Sequence, residues 1–244
     1  MTKGVLWRPS PNHSERAAGK PVDILLLHYT DMASADAAIA WLTTPESKVS
    51  CHYVVAEDGT VTQLVDEARR AWHAGVSSWK GETDINSRSI GVEIANYGHD
   101  HGYPDFPDVQ IAAVIDLARD ICARHRISRE HVLAHSDVAP MRKRDPGEKF
   151  PWGRLAAAGI GHFIEPEPIS GGRFLAPGEA GEPVSALQAM LAYYGYGLEI
   201  TGVYDAATEA VVTAFQRHFR PERVDGIADR STIATLHRLA SSLG

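Results

Sequence analysis

The sequence has 244 residues, of which 44% are hydrophobic and 23% are charged, so it suits two globular domains rather than a disordered chain. A formal net charge of -7 and the lack of a Lys/Arg-rich stripe argue against a nucleic-acid partner. Cys51 and Cys122 are the only cysteines, which excludes a zinc site of four cysteines and argues against a disulfide framework.

The N-terminal segment has no basic start followed by an apolar run, as a secretory signal would need. The longest apolar runs, such as residues 24–27, are far shorter than the roughly 20 residues that cross a bilayer. We therefore expect no transmembrane segment and a cytoplasmic protein. The alternative is a periplasmic or cell-envelope protein whose signal has been removed.

The first predicted element is the apolar block VDILLL at residues 22–27, which is typical of a strand buried on both faces. This strand ends at His28. Residues 33–42 are rich in alanine with helical spacing and predict a helix. Residues 50–65 contain two β-branched runs around Asp58-Gly59, which predicts a hairpin.

Strands and helices continue to alternate after the hairpin. Residues 89–96, SIGVEIAN, predict a strand that carries Glu93. Residues 108–125 place apolar side chains on one face with a period of 3.6, which predicts a helix with Asp108 as its N-cap. HVLAH at residues 131–135 predicts a short strand. This order indicates an α/β fold, with a mixed β-sheet flanked by helices.

The C-terminal quarter of the chain predicts a separate small domain. Residues 165–183 are dense in proline and glycine and lack periodicity, as expected of a linker. Three amphipathic helical patterns follow, at residues 184–194, 205–219 and 229–239. We divide the chain into a first domain at residues 1–164, a linker at 165–183 and a three-helix domain at 184–244.

Polar residues at predicted strand ends suggest a metal site. His28 ends the first strand, His135 ends the HVLAH strand, and Asp145 follows in a loop held by Pro146 and Gly147. A zinc hydrolase needs three nitrogen or oxygen ligands, one open coordination position and a nearby base. Each residue also has a structural alternative, because a lone histidine is usually not a ligand and Asp145 could cap its own turn. Spacing alone leaves these alternatives open.

Six motifs in order give the sequence a family resemblance: LLLHYT, SCHYVVAEDGTV, AWHAG, IGVEIAN, VLAHSDVAP and KRDPGEKFPW. Over about residues 8–160 it resembles the N-acetylmuramoyl-L-alanine amidase type 2 family. That family includes AmpD-like and AmiD-like enzymes and is similar in fold to phage T7 lysozyme and the peptidoglycan recognition proteins. The resemblance implies a zinc-dependent amidase that hydrolyses the amide between the lactyl group of N-acetylmuramic acid and L-Ala. Its substrate would be peptidoglycan or (anhydro)muropeptides, in cell-wall recycling or turnover.

The resemblance also implies roles for individual residues. The zinc ligands would be His28, His135 and Asp145. Glu93 would be the catalytic carboxylate and Lys143 the cation beside the developing oxyanion. Where T7 lysozyme has a cysteine as third ligand, this sequence has Asp145, as in the AmpD-like branch.

Substrate contacts are a further expectation of the resemblance. The candidates are Tyr53, His73 and Asn96, with packing as the alternative for the first two and strand termination for the third. His52 is next to Tyr53, so on a regular strand it would point to the opposite face and would not be a ligand.

Residues 182–240 resemble the peptidoglycan-binding type 1 domain through their LQ, GVYDAAT, AVVTAFQ and DGIAD elements. This resemblance implies wall binding, whereas a generic three-helix bundle is the structural alternative. Two other functions stay open, a non-catalytic peptidoglycan-recognition protein and a different hydrolase of the same fold, such as an endopeptidase. We expect peptidoglycan or a muropeptide as the partner and a monomeric protein.

Overall fold

The computed structural model describes residues 4–172 and 174–243. A six-stranded sheet has the strand order β1-β5-β4-β7-β3-β8, and β2 and β6 form a second, two-stranded sheet. The strands are β1 (Leu6–Trp7), β2 (His13–Glu15), β3 (Ile24–Tyr29), β4 (Tyr53–Val55), β5 (Val61–Gln63), β6 (Arg69–Ala71), β7 (Ser89–Ile94) and β8 (Val132–Ala134). The α-helices are α1 (Ala35–Leu42), α2 (Ile85–Arg88), α3 (Asp108–His125), α4 (His135–Val138), α5 (Trp152–Ala157), α6 (Glu182–Tyr194), α7 (Ala206–Phe219) and α8 (Arg230–Ser241).

The centre of the main sheet is parallel. Strand β3 pairs in parallel with both β7 and β8, and β4 pairs in parallel with β7. Strand β5 is antiparallel to β4, as the Asp58-Gly59 hairpin predicts. Every residue of β3 is buried, because side chains cover both faces of the sheet. The strand therefore shows no alternation of apolar and polar residues.

Different parts of the chain cover the two faces of the sheet. Leu25 and Leu27 belong to a buried hydrophobic cluster with Ile111 and Val114 of α3. Their neighbour Leu26 points the other way and shares a cluster with Phe215 of α7. The C-terminal helices therefore complete the core on that side of the sheet.

The three-helix domain packs closely against the first domain. Trp79 pairs with Tyr196 in an isolated β-bridge, and the Lys80 N–H donates to the Gly195 carbonyl over 2.8 Å. A Cβ atom at Gly195 would lie 2.5 Å from the Trp79 ring, so this contact requires a residue without a side chain. The φ of Gly195, 147°, is also one that residues with a side chain rarely adopt.

The proline-rich and glycine-rich segment lies along the three-helix domain. Leu175 pairs with Ala228 and Ala180 with Val203, and α6 begins at Glu182, inside the predicted linker. None of the helices in the described ranges is long and apolar enough to cross a bilayer.

Several element boundaries differ by one or a few residues from the sequence-based expectation. The N-cap of α3 is Pro107, so Asp108 is the first helical residue and pairs instead with Arg154. Strand β8 ends at Ala134, and His135 begins α4. The short elements β1, β2, β6, α2, α4 and α5 were not predicted, since each has only two to six residues and none shows a period of its own.

Candidate metal and catalytic site

The candidate site lies where the parallel strands β3, β7 and β8 end. His28 of β3 is in register with Glu93 of β7, so both side chains face the same side of the sheet. His135 follows the last residue of β8, and Asp145 lies on the loop after α4. A cleft of about 400 Å³ opens here, and all four residues line it. The carboxyl edge of a parallel sheet is a common place for a ligand site.

Three buried side chains converge in this cleft. The Nδ1 atoms of His28 and His135 are 2.9 Å apart, and each lies close to Asp145 Oδ2, at 3.1 and 2.9 Å. Each of these three residues is at most 5% exposed. Burial, followed by the neighbouring His135, lowers the pKa of His28 to about 4, so its imidazole is neutral at physiological pH.

The remaining ring nitrogen of His135 determines which tautomer it adopts. His135 Nε2 lies 3.1 Å from the Ala74 carbonyl, which accepts hydrogen bonds but has no hydrogen to donate. Nε2 of His135 therefore carries the hydrogen, and its Nδ1 directs a lone pair at the cluster. His28 Nε2 is 3.0 Å from His73 Nδ1.

This donor set fits a zinc ion. The ligand atoms of His28, His135 and Asp145 lie within 4.8 Å of one another, and no other such group occurs in residues 4–172 and 174–243. Their spacings of 2.9 to 3.1 Å are close to the edge of about 3.3 Å of a tetrahedron with zinc bonds of about 2.0 Å. Two imidazoles and a carboxylate that open on one side to a cleft can bind a metal ion and leave one coordination position free.

Glu93 lies beside this cluster and has a buried oxygen, Oε2, without a hydrogen-bond partner in the described part of the chain. Burial raises the pKa of Glu93 well above 4.5, the neighbouring Asp145 raises it further, and Lys143 partly offsets both. A desolvated carboxylate with a free oxygen is suited to accept a proton from a molecule in the cleft.

Lys143 also lines the cleft, and it differs from the two arginines beside it. Arg142 donates to the carbonyls of Ala74 and Val76, and Arg144 pairs with Asp100. For the Lys143 ammonium, the described residues provide neither an ion pair nor a hydrogen-bond acceptor within range. Lys143 is thus a cation available to a bound molecule.

The structure does not bring Tyr53 or Asn96 to the cleft. Tyr53 lies on the α3 side of the sheet, where its hydroxyl donates to Glu67 Oε1 over 2.8 Å. The pleat of β4 directs the neighbours of Tyr53, and not Tyr53 itself, to the side of Glu93. The substrate role of Tyr53 stays a prediction. Asn96 is buried and fixes a turn, donating to the Pro104 carbonyl and accepting from the Gly98 N–H.

His73 and His52 lie at the base of the site. His73 lines the cleft and contacts His28, and burial lowers its pKa well below 6.5. His52 is on the opposite face from Tyr53, as expected, and its ring lies 5.7 Å from that of His73. His52 is not a member of the ligand cluster.

Several cleft residues had no signal in the sequence. Trp41 is 49% exposed on α1 and forms part of the cleft wall, together with Val49 and Trp72. An exposed tryptophan on an amphipathic helix is the one feature that could have marked this wall. Of the polar loops at residues 77–88 and 97–107, the second contributes Asp100 to the cleft lining and the first contributes no lining residue.

Known proteins resemble both parts of the chain. The family described as N-acetylmuramoyl-L-alanine amidase matches residues 18–148, and the peptidoglycan binding domain family matches residues 180–236. The N-acetylmuramoyl-L-alanine amidase AmiD of Escherichia coli (strain K12) is 38% identical over 243 residues, which cover 94% of this chain and 86% of AmiD.

Solved structures extend the similarity to the fold. The complex of AmiD from E. coli with anhydro-N-acetylmuramic acid-L-Ala-D-gamma-Glu-L-Lys has a TM-score of 0.78 and 36% identity, covering 96% of this chain and 98% of AmiD. AmpDh3 from Pseudomonas aeruginosa, in complex with anhydromuramic pentapeptide, has a TM-score of 0.74 and 31% identity, covering 94% and 96%. The predicted fold class, a mixed sheet flanked by helices, is confirmed.

Proposed function

The chain belongs to the N-acetylmuramoyl-L-alanine amidase family, and we propose that its amidase activity depends on zinc held by His28, His135 and Asp145. The enzyme hydrolyses the amide between the lactyl group of N-acetylmuramic acid and L-Ala in muropeptides, a reaction of peptidoglycan recycling. A non-catalytic recognition protein, the alternative kept open by the sequence, would need none of this buried ligand set.

One observation carries the zinc proposal. His28 Nδ1, His135 Nδ1 and Asp145 Oδ2 meet at 2.9 to 3.1 Å, and the hydrogen of His135 is directed away from the cluster to Ala74. Lone pairs that face each other at this distance are stabilised by a cation between them. When bound, zinc would polarise the scissile carbonyl and make water more acidic.

Glu93 is proposed to move the proton. Glu93 lines the cleft beside the ligand cluster, where its carboxylate can accept a proton from the attacking water. The same carboxyl group would then donate that proton to the departing L-Ala nitrogen, since an amide anion is too basic to leave at neutral pH.

Lys143 is proposed to stabilise the negative charge that develops on the scissile carbonyl oxygen. Its ammonium lines the cleft two residues before Asp145 and is not engaged by a carboxylate of the described chain. A preorganised cation of this kind typically contributes about 2.7 to 4 kcal/mol of transition-state stabilisation.

The bond that is cut can be tested on a defined anhydromuropeptide, such as the ligand of the AmiD complex. Mass spectrometry of the products should show the free sugar lactate and a peptide that begins with L-Ala. Activity should disappear after chelation and return with stoichiometric zinc. Cleavage within the peptide would identify an endopeptidase, and activity that survives complete removal of zinc would contradict the metal proposal.

The cytoplasmic location remains a prediction, as does wall binding by the three-helix domain, whose family match supports contact with polymer. Comparing hydrolysis rates on intact sacculi and on soluble anhydromuropeptides would separate these possibilities. A cytoplasmic recycling enzyme should favour the soluble substrate, and cell fractionation gives the location directly.

A further inference from the structure

His73 lies directly behind the candidate ligand His28. Its Nδ1 is 3.0 Å from His28 Nε2, and its Nε2 is 3.2 Å from Ser89 Oγ. Ser89 Oγ is in turn 2.7 Å from the Ile85 carbonyl oxygen. One continuous chain of hydrogen bonds thus leads from the site to a backbone carbonyl.

The direction of every bond in this chain follows from its last member. The Ile85 carbonyl can only accept, so the Ser89 hydroxyl donates to it, and a lone pair of Oγ is left for His73. His73 Nε2–H donates to that lone pair, which makes His73 Nδ1 the acceptor. His28 must then carry its hydrogen on Nε2 and present the Nδ1 lone pair to Asp145 and His135.

We propose that His73, oriented by Ser89, is a positioning residue that fixes the tautomer of His28 and so prepares Nδ1 for zinc. The proposal rests on the zinc-dependent function proposed above. Without an acceptor behind it, His28 would gain from moving its hydrogen to Nδ1 and donating to Asp145 Oδ2, which is 3.1 Å away. Zinc would have to reverse that arrangement before it could bind.

The surroundings of His73 support this role. A Cβ at Gly91 would lie 2.6 Å from three atoms of the His73 ring, so the ring is seated against the bare backbone of β7. Asn86 Oδ1 accepts from the N–H groups of His73 and Ala74, at 3.1 and 2.9 Å. Because the Ala74 carbonyl accepts from His135, this one segment orients both imidazole ligands.

Two substitutions in the full-length protein separate hydrogen bonding from packing. His73→Leu fills similar space without an acceptor, whereas His73→Asn keeps an acceptor near the position of Nδ1. Zinc affinity is measured by competition with a chromophoric chelator. We expect His73→Leu to bind zinc about 10- to 100-fold more weakly than wild type, the usual effect of losing a partner of a ligating histidine. His73→Asn should stay close to wild type.

Imidazole ¹⁵N NMR of the zinc-free protein reports the tautomer itself. His28 should carry its hydrogen on Nε2 in wild type and in His73→Asn, and on Nδ1 in His73→Leu. Ser89→Ala, which leaves the His73 ring in place, should shift part of the His28 population to the Nδ1–H form. A purely structural role for His73 would leave these populations unchanged.

Two results would overturn the inference: equal zinc affinity in the Leu and Asn variants, or an unchanged His28 tautomer in His73→Leu. If wild type itself bound no zinc, the proposed function would fail instead, so the two failures are distinguishable. Should His73→Leu not fold, Ser89→Ala with the NMR measurement still decides the question.

Discussion

Two buried pairs of histidine and aspartate meet on the four-residue helix α4, and they differ in how their hydrogen bonds are completed. His135, at the start of α4, faces Asp145, and Asp137, two residues later, contacts His218 of α7 over 2.7 Å. Asp137 also accepts from the Tyr196 hydroxyl and from the Ala134 N–H, both at 2.8 Å. Each oxygen of Asp137 therefore has a donor.

The pair around Asp145 has the opposite character. Its Oδ2 is shared by two imidazole nitrogens, at least one of which has no hydrogen to offer, and the group opens to the cleft. Residue type and burial are the same in both pairs, so neither distinguishes a functional site from a structural one. The difference lies in whether donors and acceptors match, and a buried group of acceptors that face one another is suited to bind a cation.

The largest expected effect comes from Asp145→Asn, with Asp137→Asn as its matched control. Asp145→Asn removes a charged ligand, and we expect stoichiometric zinc binding and amidase activity to fall to background. Asp137→Asn should keep one zinc per chain. Metal analysis and a muropeptide assay check both variants, and loss of zinc from the Asp137 variant alone would reverse the assignment of the two pairs.

Glu93→Gln should lower kcat by about 10²- to 10⁴-fold, the usual contribution of a general acid–base, with zinc content unchanged. The same change should stabilise the zinc-free protein. Because burial raises the pKa of Glu93 above about 4.5, its ionisation destabilises the fold as the pH rises through that raised pKa, and glutamine carries no such cost.

Denaturant unfolding of metal-free wild type and Glu93→Gln between pH 4 and 8 measures the second effect, taking pH 4 as roughly the ordinary range of a glutamate. The stability advantage of the variant should be small at low pH and grow with pH. An advantage that shrinks as the pH rises would show that Glu93 is not desolvated.

Lys143→Met should reduce kcat by about 10²- to 10³-fold, equivalent to the loss of one oxyanion donor, and should leave zinc binding intact. Arg144→Met is the neighbouring control, since Arg144 is already paired with Asp100. Steady-state kinetics on a defined muropeptide compare the two. Equal losses in both variants would indicate a general effect of positive charge on substrate binding.

The smallest effect is expected for the pair of Asp137 and His218. Asp137→Asn leaves donors near a weaker acceptor and should lower the free energy of unfolding by about 1 to 3 kcal/mol. Thermal and denaturant unfolding of the full chain measure this. A neutral result would mean that the contact between α4 and the three-helix domain contributes little to stability.

Much of this architecture is readable in the sequence, because long periodic segments have strong signals. The buried strand β3 follows from a continuous apolar run, and the helix α3 and the three C-terminal helices follow from apolar periodicity. The convergence of His28, His135 and Asp145 was suggested by their places at predicted strand ends and by the family motifs. Periodicity could not give the distances between these side chains or show how their hydrogen-bond donors and acceptors match.

The orientation of side chains on the short strands was not predicted. Tyr53 was expected to contact substrate, and the register of β4 against β7 pairs Tyr53 with Val92 and Val54 with Glu93. A shift of one residue reverses the face of a strand, and one sequence does not specify that register. The position of His73 behind His28 depends on a loop and on Gly91 in a neighbouring strand, so no local pattern predicts it.

The central claim is that two imidazoles and one carboxylate hold a zinc ion, and X-ray absorption at the zinc edge tests it most directly. Purified protein loaded with one equivalent of zinc should show a first shell of two nitrogen and one or two oxygen neighbours at about 2.0 to 2.2 Å, with no sulfur. The scattering from imidazole rings around zinc should weaken in His135→Ala and persist in His218→Ala. A zinc shell that contains sulfur, or one that is unchanged in His135→Ala, would contradict the account.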